Sequence, residues 1–216
     1  MSNPKLTLTF DNGPTPGVTN VVLDTLADFH VAATFFLVGQ DLLKPGRRQI
    51  AERAYRDGHR IGNHTMTHSI RLGSSDDPTL LHREIDEAQQ VLGDLADGDK
   101  LYRPWGDGVL NERLLSAAAV QRLEEGDYTL ALWNSVPLDW VNPTTWPAKA
   151  LSDIANQDWT VLVLHDNESG SMAVLPEFVS AVLERGIEIR RDFPPECTPI
   201  LRGKRVGSLA GLVASS

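Results

Sequence analysis

An α/β fold built on a parallel sheet, either a β/α barrel or a wound open sheet, is what this chain predicts. About seven short apolar runs alternate with about six amphipathic segments, the pattern of repeated βα units. At 216 residues and 41% hydrophobic, the chain can bury one sizeable core. The residues able to do chemistry fall just past the ends of the apolar runs, where α/β folds place their sites.

The elements follow in order. Leu6-Thr7-Leu8-Thr9-Phe10 alternates as a buried strand does, within an expected strand at 5–10. Further strands are expected at 33–38, 60–63, 100–103, 128–133, 160–165 and 186–190. Helices fit between them at 18–30, 47–57, 79–95, 111–124, 145–156 and 172–184. In the third, Thr79 is placed to cap, and Leu80, Leu81, Ile85, Ala88, Val91, Leu92 and Leu95 form one buried face. Past Asp192 the rhythm breaks at Phe193-Pro194-Pro195, and residues 203–216 are small and weakly apolar. The organisation expected is therefore one domain over 1–191 and a C-terminal tail over 192–216, loosely packed, folded back on the sheet or in contact with another chain.

Composition narrows the function. A net charge of −9 and a pI near 5.1 oppose nucleic-acid binding, which needs clustered Lys and Arg, and favour a neutral or positive substrate. Cys197 is the only cysteine, so there is neither an internal disulfide nor a cysteine zinc cluster; an inert thiol is expected. No apolar run approaches the roughly 18 residues of a membrane span. The first strand starts within a few residues of Met1, which leads us to expect no export leader and a cytoplasmic location.

His64 and His68 stand four residues apart, about one helical turn, so on a helical segment both rings would leave one face and could close on one cation. Taken alone such a pair also reads as two half-buried histidines, and Asp11-Asn12-Gly13-Pro14 as a simple turn. Their position after strands favours a hydrolytic metal site, since two His and one carboxylate form a catalytic zinc set, the second acidic-looking position here being Asn12. Arg103-Pro104-Trp105-Gly106, Asp139-Trp140 and His165-Asp166 follow later strands, giving five strand ends with polar residues to share one face. Trp105, Trp133 and Trp140 read equally as core aromatics or sugar platforms.

These residues carry a resemblance. Thr9-Phe10-Asp11-Asn12-Gly13-Pro14 resembles the Thr-Phe-Asp-Asp-Gly-Pro motif of the polysaccharide deacetylase family (carbohydrate esterase family four, the NodB homology domain), and His64 to His68 its His-Ser/Thr-x-x-His motif. Arg103-Pro104-Trp105-Gly106 is similar to Arg-x-Pro-Tyr-Gly but one residue shorter, with Trp for Tyr. Asp139-Trp140 matches the fourth motif, with Val136 where an acidic residue often stands, and Val163-Leu164-His165 the fifth. The resemblance spans Leu6 to about Ile189 and implies a distorted, incomplete (β/α) barrel that removes acetyl groups from sugars with a divalent metal, zinc.

It further implies Asn12, His64 and His68 as metal ligands, Asp11 as general base and His165 as general acid. Asp139 would orient His165, Arg103 would pair with Asp11 and keep it ionised, and Trp105 would supply an oxyanion amide or a wall of the acetyl pocket. Trp105 and Trp140 would bind substrate. Asn12 departs from the family's aspartate, so the site is expected to bind metal more weakly or to be retuned. Three readings follow: a deacetylase of N-acetylated sugars, a hydrolase of non-sugar amides, and a metal-free carbohydrate-binding pseudoenzyme. Asp11, as a strand-end group placed for chemistry, is expected to add little to the core.

Overall fold

The computed structural model describes residues 3–214. At its centre is a parallel sheet of β1 (Lys5–Asp11), β2 (Thr34–Leu37), β3 (Arg60–Asn63), β4 (Leu101–Tyr102), β5 (Thr129–Leu130), β6 (Trp159–His165) and β7 (Glu188–Arg190). The order is β5-β4-β3-β2-β1-β6, with β7 added to β1 at Lys5 to Thr7. Among the described residues β5 and β6 do not pair, and only an isolated bridge from Ser135 to Leu162 spans the gap. The sheet is thus a half-barrel with helices around it, the incomplete (β/α) barrel the sequence implied.

Strand periodicity builds two cores. Leu6, Leu8 and Phe10 of β1 and Leu162 and Leu164 of β6 point outward, into one cluster with Leu23, Leu26 and Phe178 from the covering helices. Val161 and Val163 face the other way, into a second cluster with Tyr102, Leu130 and Trp133. Thr7 and Thr9 of β1 also face that side, and the buried Thr9 hydroxyl donates to the Leu162 carbonyl at 2.7 Å. The Thr7 hydroxyl is likewise tied to backbone, donating to the Asp192 carbonyl at 2.6 Å, as burial requires. No helix among the described residues is long and apolar enough to cross a membrane.

Several boundaries differ from expectation for identifiable reasons. Asp77, not Thr79, caps the third helix: its carboxylate accepts the Thr79 amide at 2.9 Å, with Pro78 at the first helical position. That helix loosens to a π-helical turn over His82–Glu87, where Asn63 donates to the Ile85 carbonyl at 2.8 Å. The helix expected at 111–124 begins only at Ala117, capped by Ser116; before it, the Leu115 amide donates to Leu212 of the tail. The strand expected at 128–133 is cut to two residues because the Leu132 amide turns to the Cys197 carbonyl.

Residues 192–214 are packed rather than loose. Cys197 and Ile200 are buried in the second cluster, Ile200–Leu201 pairs with Lys204–Arg205 in a small antiparallel ladder, and Val213 bridges to Leu115. Burial pushes the Cys197 thiol up to about 12, in keeping with an inert group. Ser215 and Ser216, the end of the expected tail, lie outside the described residues.

Candidate active site

Parallel register sets the site's geometry. Asp11, the last residue of β1, lies opposite His165, the last residue of β6, so the two functional side chains leave neighbouring strand ends together. The Asn12 amide continues toward the Phe36 carbonyl at 3.2 Å, the His64 amide to Leu37 at 2.9 Å, and the Arg103 amide to Asn63 at 2.8 Å. Each of these residues is held one step past a strand by its neighbour's backbone. All of them except the deeply buried Arg103 line a cleft of about 390 Å³, with Trp105, Trp133 and Trp140 in its walls.

Arg103 is the hub. Fully buried, it donates to Asp11 at 2.9 Å, to the Thr9 hydroxyl at 2.7 Å and to the Ala131 carbonyl at 3.1 Å, with its guanidinium 3.9 Å from the Phe36 ring centroid. Burial alone would raise Asp11, but Arg103, His64 and His165 outweigh it and hold this carboxyl below its usual value. The expectation that Asp11 adds little to the core is corrected here, because Arg103 is fully buried with Asp11 as its counter-charge.

His64 and His68 do come together, with ring centroids 4.8 Å apart, but not through a helix. The segment after β3 is a loop in which Thr65 (φ 68°) and His68 (φ 52°) adopt left-handed backbone, a costly state for side-chain-bearing residues. Side chains lock it. Asn63 accepts the Thr65 amide, Thr65 accepts the His68 amide at 3.0 Å, and Glu84 accepts both the amide and the hydroxyl of Thr67 at 2.9 Å. Glu84, wholly buried, was missed in the sequence. Its signal was an acid between Leu81, Ile85 and Ala88 on the apolar face of a helix.

Nδ1 of His64 meets the Arg103 carbonyl at 2.9 Å and must donate to it, which leaves Nε2 with its lone pair free. Burial drives both imidazoles toward the neutral form, lowering His64 and taking His68 down to about 3. Asn12, at φ 77°, has a buried Oδ1 without a hydrogen-bond partner. Two neutral imidazoles and an unsatisfied oxygen suit a divalent cation. Among the described residues no three His, Cys, Asp or Glu side chains form a metal-holding group.

Across the cleft, Asp139 is fully buried and accepts from His165 Nδ1 at 2.9 Å, from the His165 amide at 3.0 Å and from the Ser171 hydroxyl at 3.1 Å. Burial opposes charge on His165, yet the hydrogen bond and charge of Asp139 prevail and raise it above the ordinary histidine value. Trp140 stands edge-on to His165 at 4.7 Å and is 40% exposed, while Trp105 stands against His68 at 5.7 Å. The structure thus brings every residue singled out in the sequence to one site.

A family comparison agrees with this geometry: residues 1–124 match the polysaccharide deacetylase family. The chain belongs to that family. A peptidoglycan-N-acetylglucosamine deacetylase of Bacillus cereus is 29% identical over 84% of this chain and 83% of its own length. A chitooligosaccharide deacetylase of Rhizobium leguminosarum bv. phaseoli is 34% identical over 65% of this chain and 58% of its own. Among solved structures, a family 4 acetyl xylan esterase from Clostridium thermocellum in complex with a cobalt ion superposes with a TM-score of 0.69 and 27% identity, covering 86% of both chains.

In this member of the polysaccharide deacetylase family one further acidic residue lies against Gly13, beside the cleft residue Asn12. Asp166 is fully buried, accepts from the Thr19 hydroxyl at 2.5 Å, and is pushed by burial up to about 7, against the Thr19 hydrogen bond. Its carboxyl fills the space a side chain on Gly13 would need. The sequence placed Asp166 only beside His165 at a strand end, with no role of its own.

Proposed function

We propose that this chain hydrolyses acetyl amides of N-acetylated sugars or oligosaccharides, using a divalent cation, zinc, held by Asn12, His64 and His68. One observation carries the reading: Asp11 against Arg103 and His165 against Asp139, each at 2.9 Å, at adjacent strand ends of one cleft. Their partners push the two groups in opposite directions, so an ionised carboxylate and a protonated imidazole coexist. That is the division of labour between base and acid in amide hydrolysis.

When bound, the cation would polarise the acetyl carbonyl and ease deprotonation of water. Asp11 takes the proton of the attacking water on the oxygen that Arg103 leaves free. His165 has Nδ1 committed to Asp139, so Nε2 carries the proton it gives to the leaving nitrogen. Asp139 stabilises the imidazolium before transfer and fixes the ring's orientation. Trp105 and Trp140 offer flat faces to a sugar ring at the two sides of the cleft. The amino-sugar deacetylases among the relatives support this substrate class, and the acidic surface suits a product that becomes a cation.

Acetate release from N-acetylglucosamine oligosaccharides, measured on chelator-stripped and zinc-restored protein, tests the proposal. Release that stops on stripping and returns with zinc is expected. Release only from non-sugar acetamides would transfer the activity to another amide class. Oligosaccharide binding without release at any cation concentration would make the protein a carbohydrate binder.

A further inference from the structure

The proposed cation site has three neutral ligands, yet the cleft around it is not short of acids. Asp11 is matched by Arg103 at 2.9 Å, Asp139 by His165 at 2.9 Å, and Asp107 by Arg71 at 2.6 Å. Asp166 is different. It has no salt-bridge partner among the described residues, it is wholly buried, and its Oδ1 has no hydrogen-bond partner. A buried carboxylate is normally paired with a cation or a metal, and an unsatisfied buried acceptor is costly.

Its position is specific. Asp166 follows His165 and presses on Gly13, where a methyl group would collide with both carboxylate oxygens. Gly13 in turn follows Asn12, whose own Oδ1 is the other unpartnered buried oxygen of this corner. Thr19 braces the arrangement by accepting the Thr15 amide at 2.6 Å while donating to Asp166. Two orphaned acceptors, one of them on a carboxyl with no salt-bridge partner among the described residues, therefore flank a single turn.

We infer that Asp166 supplies, from behind the Asn12-Gly13 turn, the negative charge that the neutral Asn12 does not bring to the divalent cation. The inference rests on the cation site proposed above. Asp166 is a positioning and charge-balancing residue, not a ligand. A purely mechanical role through Thr19 would survive replacement by asparagine, whose side-chain oxygen accepts the same hydroxyl. A role through charge would not.

The test is zinc affinity by competition with a chromogenic chelator, in the wild type, Asp166→Asn, Asn12→Asp and the double variant. Asp166→Asn is expected to weaken zinc binding about 10- to 100-fold, the range of outer-shell substitutions at metal sites. The thermal midpoint of the metal-free protein should not fall, since the variant removes a buried carboxyl whose charged form burial disfavours and keeps an acceptor for Thr19. Asn12→Asp in the Asp166→Asn background should restore affinity at least to the wild-type level. Asp166→Ser, which keeps an acceptor for Thr19, should show the same loss and stands in if the asparagine variant does not fold. Unchanged affinity in a folded Asp166 variant, or no recovery in the double variant, overturns the inference alone. Absence of zinc binding in the wild type overturns both it and the cation site.

Discussion

Asp11→Asn separates the catalytic and structural work of one side chain. The substitution is nearly isosteric, but it takes the counter-charge from an arginine that is fully buried. Two unit charges about 4 Å apart attract by about 4 kcal/mol at an effective dielectric near 20. Removing one member of a buried pair costs about 3 to 5 kcal/mol, because the other is left uncompensated. Arg103 keeps Thr9 and the Ala131 carbonyl as acceptors, and the new carboxamide oxygen can still accept from it. We therefore expect the lower end, about 3 kcal/mol, together with a loss of about 10² to 10⁴-fold in turnover for the missing base. Urea denaturation of metal-free protein reads the first quantity and acetate release from folded variant the second. The partner substitution Arg103→Leu completes a double-mutant cycle, in which the double variant should be more stable than the sum of the two single losses implies. Stability within about 0.5 kcal/mol of wild type would refute the pairing argument. Wild-type turnover would remove Asp11 from the role of base.

Three other outcomes follow from the same geometry. Because His165 is held above the ordinary histidine value, turnover that needs its proton should decline only as pH rises through that raised value; Asp139→Asn leaves burial dominant and should move this alkaline limb to lower pH, which a kcat against pH profile reads. Trp140→Ala should raise KM for oligosaccharides several-fold, for a loss of about 0.5 to 1.5 kcal/mol of aromatic contact, and equal KM in the two proteins would take Trp140 out of the binding site. Gly13→Ala forces a methyl group onto Asp166 and should destabilise by about 1 to 3 kcal/mol, with thermal melts showing no change if the turn can move aside.

Local chemistry was legible in the chain itself. The alternation of Leu6 to Phe10 and the apolar run ending at His165 specified buried strands, because side chains of period two must sort to two faces. Asp11, Asn12, His64, His68, Arg103, Asp139 and His165 stood out because strand ends in α/β folds meet on one side, and all seven do. What the sequence could not carry was how they are held. His64 and His68 share a face through a left-handed loop and not a helical turn, since Glu84, far along the chain, satisfies the Thr67 amide that a helix would have used. Asp11 turned from a strand-end group into the counter-charge of a buried arginine only when the half-barrel brought the ends of β1 and β4 together across the two strands between them. The residues after 192 read as loose because their apolar content is thin, yet Leu132 and Leu115 leave backbone amides that only this segment satisfies. Asp166 gained meaning the same way, from the space over Gly13 and an Oδ1 without a hydrogen-bond partner among the described residues. Residue type and spacing determine which groups can react; burial and non-local hydrogen bonding, which depend on every other element being in place, decide their charge and aim.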